Sequence, residues 1–262
     1  MSTANTDAAV EISLRPVTGW RRGFNNLVRK ELGQWWGTRM WWIQLLTWVV
    51  ILNGVAALIM LESGATVTEA VQTFLLMGAF VIGVGVVLTV QGAIVGERES
   101  GTAAWIMSKP VTPSAFVLAK LIAHTFGFLV TALLVPSLLF LAEAAVLLSV
   151  PLNYGAFALG ILVVALAVLF YVALTLALGT VFRGRGPVAG IGIGLLLTGQ
   201  FFAGMLPLPL VIVTPWLLGD VATSIALGTA LEFNGAIPVV ATVITTTALV
   251  LTALWRFGRE EF

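Results

Sequence analysis

The chain alternates three long apolar blocks with short segments that carry its basic residues. No lysine or arginine falls in 40–97, 121–182 or 186–255. Each block is too long for a single membrane crossing, which takes about 20 residues, and has the length of two helices joined by a turn. Three such hairpins predict six membrane-spanning helices with both termini on one side.

Breaks in the apolar pattern set the predicted boundaries. Polar turns at 62–69 and 149–155 divide the first two blocks, and a tight turn at 182–187 separates the second block from the third. We therefore expect an all-α integral membrane protein, with one domain over 20–262 after a disordered tail over 1–19. The predicted spans are about 40–61, 70–95, 116–146, 156–182, 187–206 and 236–255.

The pattern before the first span predicts an amphipathic helix over 20–38. Its basic residues lie mostly opposite the apolar stripe, as in helices that lie in the membrane interface. Glu31 is the exception, because it falls on the stripe. The alternative is a charged lead-in below the first span. The apolar positions are Trp20, Phe24, Leu27, Val28, Leu32 and Trp35.

The segment 207–235 is too apolar for an ordinary loop and too broken by proline and glycine for a spanning helix. Thr214-Pro215 is a good helix start, because threonine caps a first turn and proline fits the first helical position. We interpret the segment as two short re-entrant half-helices, whose backbone other parts of the protein must cover. An outer loop with one interfacial helix is the alternative.

Composition agrees with a membrane protein, since 59% of the residues are hydrophobic and 10% are charged, against about 25% charged in soluble domains. Short basic loops stay in the cytoplasm, which predicts cytoplasmic termini. The first 19 residues hold no apolar run, so we expect no cleavable signal peptide. With no cysteine and one histidine, we expect no metal site. We expect a multi-pass protein of a prokaryotic-type cell membrane, in contact with lipid and without a nucleic-acid partner.

The loop after the second predicted span holds most of the candidate chemistry. It reads GERESGTAAWIMSKPVTPSA over 96–115, a charged start followed by a short amphipathic turn. Pro110 and Pro113 end this turn and begin the next helix. A short surface helix with charged flanks suits a groove in a soluble partner. A solvated loop without a partner fits the pattern equally well.

This loop resembles the segment after the second helix in permease subunits of ABC transporters of the type-2 family, which have the type V exporter fold. That family reads E-R-E-x-G-T and then S-K-P-V, with a basic residue early in the next helix, here Lys120. The amphipathic elbow helix, six spans and broken helices before the last span also resemble the family. The matching residues are Glu97-Arg98-Glu99-x-Gly101-Thr102 and Ser108-Lys109-Pro110-Val111.

The resemblance implies a coupling helix over 97–109 that docks on an ABC ATP-binding subunit. The apolar residues of the turn would fill a groove of that subunit, the charged residues would set the register, and Gly101 would allow a tight bend. The implied assembly has two ATP-binding subunits and two permeases, the second permease being another copy or a paralogue. The implied coupling residues are Glu97, Arg98, Glu99, Gly101, Thr102, Trp105, Ile106 and Met107.

The chain holds no G-x-x-x-x-G-K-[ST] phosphate loop. Its lysines are Lys30, Lys109 and Lys120, and none follows such a glycine pattern. We therefore expect no ATPase activity and no cofactor in this chain, with ATP and magnesium held by the partner subunit.

Glycines recur every four residues in the fifth predicted span, at Gly186, Gly190 and Gly194. Small residues at this spacing let helices approach closely in lipid. The stripe predicts packing within the chain or, alternatively, contact between two permeases.

The predicted spans hold the neutral polar residues Gln44, Asn53, Gln91 and Gln200, of which the last three are candidates for a substrate path. Each one either hydrogen-bonds between helices or lines a substrate path.

The leading hypothesis is the permease subunit of an ATP-driven exporter. A secondary transporter driven by an ion gradient is the first alternative, but such proteins place ionisable groups near the middle of the membrane. Glu143 is the one carboxylate inside an apolar run, and it lies about 35 Å along the helix from Lys120, at the outer interface. A membrane scaffold that recruits a soluble partner through 97–109 is the second alternative.

Overall fold

A computed structural model describes residues 19, 21–62, 64–148 and 152–260. The predicted tail up to residue 18, Trp20 of the apolar stripe and residues 149–151 of the second outer turn lie outside the described residues. In chain order the helices are α1 (Phe24–Trp36), α2 (Met40–Met60), α3 (Val67–Glu99), α4 (Thr102–Met107), α5 (Pro113–Leu147), α6 (Tyr154–Val181), α7 (Arg185–Met205), α8 (Leu208–Val211), α9 (Pro215–Leu227) and α10 (Ala236–Phe257).

Six of these helices are long and apolar enough to cross a membrane, namely α2, α3, α5, α6, α7 and α10. The prediction of an all-α bundle with six spans is therefore confirmed. The second spanning helix, α3, differs most from the prediction, because it continues beyond residue 95 to Glu99. At 33 residues it exceeds the length that a bilayer core requires, so its last turns can carry charged side chains beyond the core.

Helix α6 lies at the centre of the bundle. Within its most apolar window 61% of the residues are buried, compared with 17% for α7 and 22% for α10. It packs against α3, α9 and α10. The two peripheral helices α7 and α10 therefore present most of their apolar surface outward, to lipid or to another subunit.

The segment between α7 and α10 forms two short helices, as the prolines predict. Helix α9 begins at Pro215, and the Thr214 hydroxyl accepts a hydrogen bond from the Trp216 backbone N–H at 3.4 Å. Six of the ten residues over Leu218–Leu227 are buried, and this part of α9 packs against α6 and α3. Protein therefore covers its backbone, as a re-entrant segment in a bilayer requires.

Helix α1 packs closely on α5. A Cβ atom at Gly127 of α5 would lie 2.2 Å from the Trp35 ring of α1, so the absence of a side chain at Gly127 makes room for the indole. Trp35 also contacts the rings of His124 and Phe128 edge-on, at 5.7 and 5.3 Å between centroids. The elbow-like helix is thus fixed to the bundle by a large aromatic side chain.

One end of the bundle gathers α1, the ends of α3, α6 and α10, and the starts of α5 and α7. Side chains from these segments bond to one another there. We call it the basic end, because Arg98, Lys120, Arg185 and Arg256 all lie in these segments. The positive-inside rule predicts that the basic end faces the cytoplasm.

Candidate functional site at the basic end

Helix α4 follows a sharp bend in the chain. The bend lies at Gly101, whose φ of +72° falls in the left-handed region that glycine adopts without steric cost. On the far side, Thr112 caps α5 by accepting a hydrogen bond from the Ala115 backbone N–H at 3.2 Å, with Pro113 in the first turn. The local sequence thus sets α4 apart as a separate short helix between α3 and α5.

The two faces of α4 have different surroundings. Ala103 and Ile106 are buried against the bundle, with Ile106 only 5% exposed. Trp105 points outward and is 64% exposed, and the Lys109 ammonium lies 5.0 Å from the centre of its ring. Met107 is half-buried. Of the three apolar residues that the resemblance assigns to a partner, Trp105 is therefore the most accessible.

Glu97 lies in a group of four charged side chains, of which Glu31 and Lys120 are buried and Lys30 and Glu97 are partly exposed. Its Oε1 accepts hydrogen bonds from Lys120 Nζ at 2.7 Å and from Lys30 Nζ at 2.8 Å. Glu31 Oε1 accepts from the same two lysines, at 3.0 and 3.2 Å. We call Lys30, Glu31, Glu97 and Lys120 the Lys120 cluster. It carries no net charge and joins α1, α3 and α5.

The cluster explains the carboxylate on the apolar stripe of α1. Burial alone would raise the pKa of Glu31, but the charges of Lys120 and Lys30 outweigh it and lower that pKa. Burial alone would lower the pKa of Lys30, but the hydrogen bond to Glu97 and the charges of both glutamates raise it. Both groups are therefore ionised at neutral pH.

A cavity of about 390 Å³ opens beside the Lys120 cluster, between α1, α2, α3 and α5. Three buried polar atoms on its wall, Trp35 Nε1, Glu97 Oε2 and His124 Nδ1, have no hydrogen-bond partner among the described residues. His124 follows Lys120 by one helical turn in the sequence, but no sequence pattern indicated a cavity beside them. The other lining residues of the cavity include Gln34, Gln44, Thr89, Gly92 and Arg185.

Arg98 bonds to the end of α6. Its guanidinium donates to the carbonyl oxygens of Gly179 at 2.6 Å, Thr180 at 3.1 Å and Phe182 at 3.2 Å, and it pairs with Glu260. Carbonyl groups at a helix C-terminus lack hydrogen-bond donors within the helix. The Arg98 guanidinium supplies these donors. The charge pairing that the resemblance implied for Glu97 and Arg98 is thus met within the chain.

Glu99 is more exposed than Glu97 and Arg98. It pairs with Arg185 at 3.0 Å, and both side chains are about half exposed. Such surface pairs contribute roughly 0–1 kcal/mol, so Glu99 can exchange Arg185 for another cation at little cost. We call Glu99, Thr102, Trp105 and Lys109 the α4 surface.

The family described as "ABC-2 family transporter protein" matches residues 25–262. The chain belongs to the ABC-2 transporter family. The resemblance drawn from the loop motif is therefore confirmed, and with its six spans this ABC-2 protein is a multi-pass membrane protein, consistent with a prokaryotic inner membrane.

One relative is the "Uncharacterized transmembrane protein YxlG" of Bacillus subtilis (strain 168). It is 32% identical over 123 residues, which are 47% of this chain and 46% of the relative. The match therefore spans about half the length of that protein, and it supports the membrane assignment.

The glycine stripe of this ABC-2 protein faces away from its own helices. Cβ atoms at Gly186, Gly190 and Gly194 would meet nothing within 4 Å. Other glycines of α7 do pack closely within the chain, because a Cβ at Gly192 would lie 2.8 Å from Val87 and a Cβ at Gly199 would lie 2.2 Å from the Trp216 ring. The described residues thus leave the stripe on the outer surface of the bundle.

The three neutral polar residues have different surroundings. Asn53 is buried and donates from Nδ2 to the Pro136 carbonyl at 3.0 Å and to Glu143 at 3.2 Å, so it joins α2 to α5. Gln91 bonds to the Leu88 carbonyl of its own helix. Gln200 lines a cavity of about 270 Å³ with Tyr171, Trp216 and Asp220. A path-lining role for any of the three stays a prediction.

Proposed function

We propose that this chain is the permease subunit of an ATP-driven ABC exporter and that it docks on a separate ATP-binding subunit through the α4 surface. The main support is Trp105, a large apolar side chain that is 64% exposed on a short helix beyond the membrane-spanning region. Tryptophan is among the residues that most often dominate binding energy at protein interfaces. Glu99 and Lys109 beside it offer both signs of charge to the rim of such an interface.

The contacts behind α4 suit a coupling role. Ile106 anchors α4 to the bundle. The backbone N–H of Thr112 donates to the Arg22 carbonyl at 3.2 Å, which ties the loop after α4 to the start of α1. A displacement of α4 therefore reaches the bundle on both sides of the helix.

Two further contacts extend this connection. The Lys120 cluster holds the end of α3 to α1 and α5, and Arg98 holds it to α6. In the proposed mechanism, ATP binding draws the two ATP-binding subunits together, and each α4 moves with its subunit. These contacts then carry that movement to the spanning helices.

The ATP-binding subunits supply the chemistry that this chain lacks. ATP and Mg²⁺ bind in those subunits, two per transporter. The permease contributes the path and the docking surface. Export follows from changes in the packing of its helices when nucleotide binds.

Co-purification tests the proposal directly. The tagged chain is extracted from its native host in mild detergent, and proteins that accompany it in stoichiometric amounts are identified by mass spectrometry. We expect a P-loop ATPase, and we expect its hydrolysis rate to change when the permease is present. A chain that purifies without any ATPase would contradict the proposal.

The second permease is proposed to contact the glycine stripe of α7. Because the chain contains no cysteine, Gly190→Cys introduces a single thiol on that stripe. We expect rapid oxidative cross-linking of this variant in membranes, seen as a dimer on non-reducing gels. The matched control is Val243→Cys on α10, which is also exposed but lies on another helix. Equal cross-linking of both variants, or none at Gly190→Cys, would contradict an α7 interface.

A further inference from the structure

A second cavity of about 390 Å³ lies at the basic end, between the end of α6 and the end of α10. Four arginines and one glutamate dominate its wall. They are Arg98, Arg183, Arg256, Arg259 and Glu260, with Thr180 and Val181 completing the lining.

The charges of this cavity are only partly neutralised. Arg98 is committed to the carbonyl groups at the end of α6 and to Glu260, the only carboxylate on the described wall. Arg183, Arg256 and Arg259 are exposed, and none of them forms an ion pair with a described residue. The described lining therefore carries an excess of positive charge that is open to an anion.

The surroundings place the cavity at the level of lipid headgroups. The Arg259 guanidinium carbon lies 4.4 Å from the centre of the Trp255 ring, within cation–π range. Trp255 is 56% exposed, and Leu251, one turn earlier on α10, is 59% exposed. Tryptophan prefers the membrane–water interface, so the arginines lie where an apolar helix face ends and polar surroundings begin.

We propose that this cavity binds the phosphate group of an anionic phospholipid, with the acyl chains lying along the outer face of α10. Basic pockets between spanning helices at the cytoplasmic side suit lipid head groups. Arginine presents a planar fork of N–H donors that matches phosphate oxygens. The apolar face that begins at Trp255 favours a phosphate attached to acyl chains over free phosphate. The proposal does not depend on the coupling role of α4.

Native mass spectrometry of the purified chain in mild detergent tests the site. Phosphatidylglycerol and phosphatidylcholine are titrated separately, and lipid adducts per protomer are counted. We expect one phosphatidylglycerol to bind in preference to phosphatidylcholine. In Arg183→Gln/Arg256→Gln we expect roughly 30-fold weaker binding, because each arginine near an anionic lipid contributes about 1 kcal/mol and 1.4 kcal/mol is a factor of ten.

Two controls distinguish binding at a specific site from a general effect of surface charge on lipid binding. Arg29→Gln/Arg39→Gln removes the same charge from exposed positions near α1 and should retain the phosphatidylglycerol adduct. Arg183→Lys/Arg256→Lys keeps the charge but loses the planar fork, so it should bind phosphatidylglycerol more tightly than the Arg183→Gln/Arg256→Gln variant and more weakly than the wild type. Equal losses in the two glutamine variants, or equal binding of both lipids, would overturn the proposal.

Inorganic phosphate distinguishes the two sources of the anion. At millimolar concentration it should leave the phosphatidylglycerol adduct in place. Displacement of the lipid by phosphate would overturn the assignment to a phospholipid.

Discussion

Replacing Lys120 with methionine is expected to destabilise the protein by about 3–5 kcal/mol, the cost of leaving a buried charge without its partner. Lys120 is 2% exposed and bonds to both glutamates of the Lys120 cluster. Methionine retains most of the aliphatic volume and removes the charge. Most of this destabilisation comes from Glu31, which is 4% exposed. Without Lys120 its carboxylate would keep only the longer contact with Lys30. The thermal midpoint in detergent should fall by roughly 10 °C.

A double-mutant cycle separates the ionic contact from packing. Glu31→Gln in the Lys120→Met background removes the stranded carboxylate, so it should recover part of the lost stability, whereas Glu31→Gln alone should destabilise. Lys109→Met is the matched surface control, because Lys109 is exposed, and it should leave the midpoint nearly unchanged. An unaltered midpoint in Lys120→Met would contradict a structural role for the cluster.

The pH dependence of the same variants follows from the lowered pKa of Glu31 in the folded protein. A group with a lowered pKa stabilises the fold fully above its unfolded value, near 4.3, and that contribution disappears as the pH falls through the folded pKa. The deficit of Lys120→Met should therefore be largest near neutral pH and shrink in acid, where Glu31 is protonated in both proteins.

The spanning helices are predictable from sequence because their signal is local. A bilayer core demands about 20 apolar residues in a row, and α2, α6 and α10 meet that demand within the chain segments that form them. The short helix α4 is also local, since Gly101 and Pro113 mark its two sides. These features depend on residues that are close together in the sequence, so one sequence is enough to predict them.

The ionic contacts depend on residues far apart in the sequence, and a single sequence does not pair them. Glu31 looked like a flaw in the α1 stripe, although a carboxylate on an apolar face is itself a sign of a buried partner. Its partner Lys120 lies 89 positions away. The acceptors of Arg98 are backbone carbonyl groups at the end of α6, which no side-chain pattern marks. The sequence does not reveal the arginine-lined cavity either, because its residues come from distant segments near the ends of α6 and α10.

Replacing Trp105 with alanine is expected to weaken binding of the ATP-binding subunit by at least about 30-fold, because an interface hot spot contributes about 2 kcal/mol or more and 1.4 kcal/mol is a factor of ten. The side chain is 64% exposed in the free chain, so its removal should cost little stability. We expect normal membrane insertion, an unchanged thermal midpoint and loss of the permease's effect on ATP hydrolysis. Affinity is measured with purified ATP-binding subunit titrated against the detergent-solubilised permease.

Two matched variants make the result specific to the exposed face of α4. Trp255→Ala removes another exposed tryptophan, 56% accessible on α10, and should retain the affinity. Ile106→Ala removes the buried anchor of α4 and should lower stability by about 2–5 kcal/mol, which Trp105→Ala should not do. Wild-type affinity in Trp105→Ala would contradict docking through the α4 surface, and a loss of affinity in Trp255→Ala alone would place the docking surface at the end of α10.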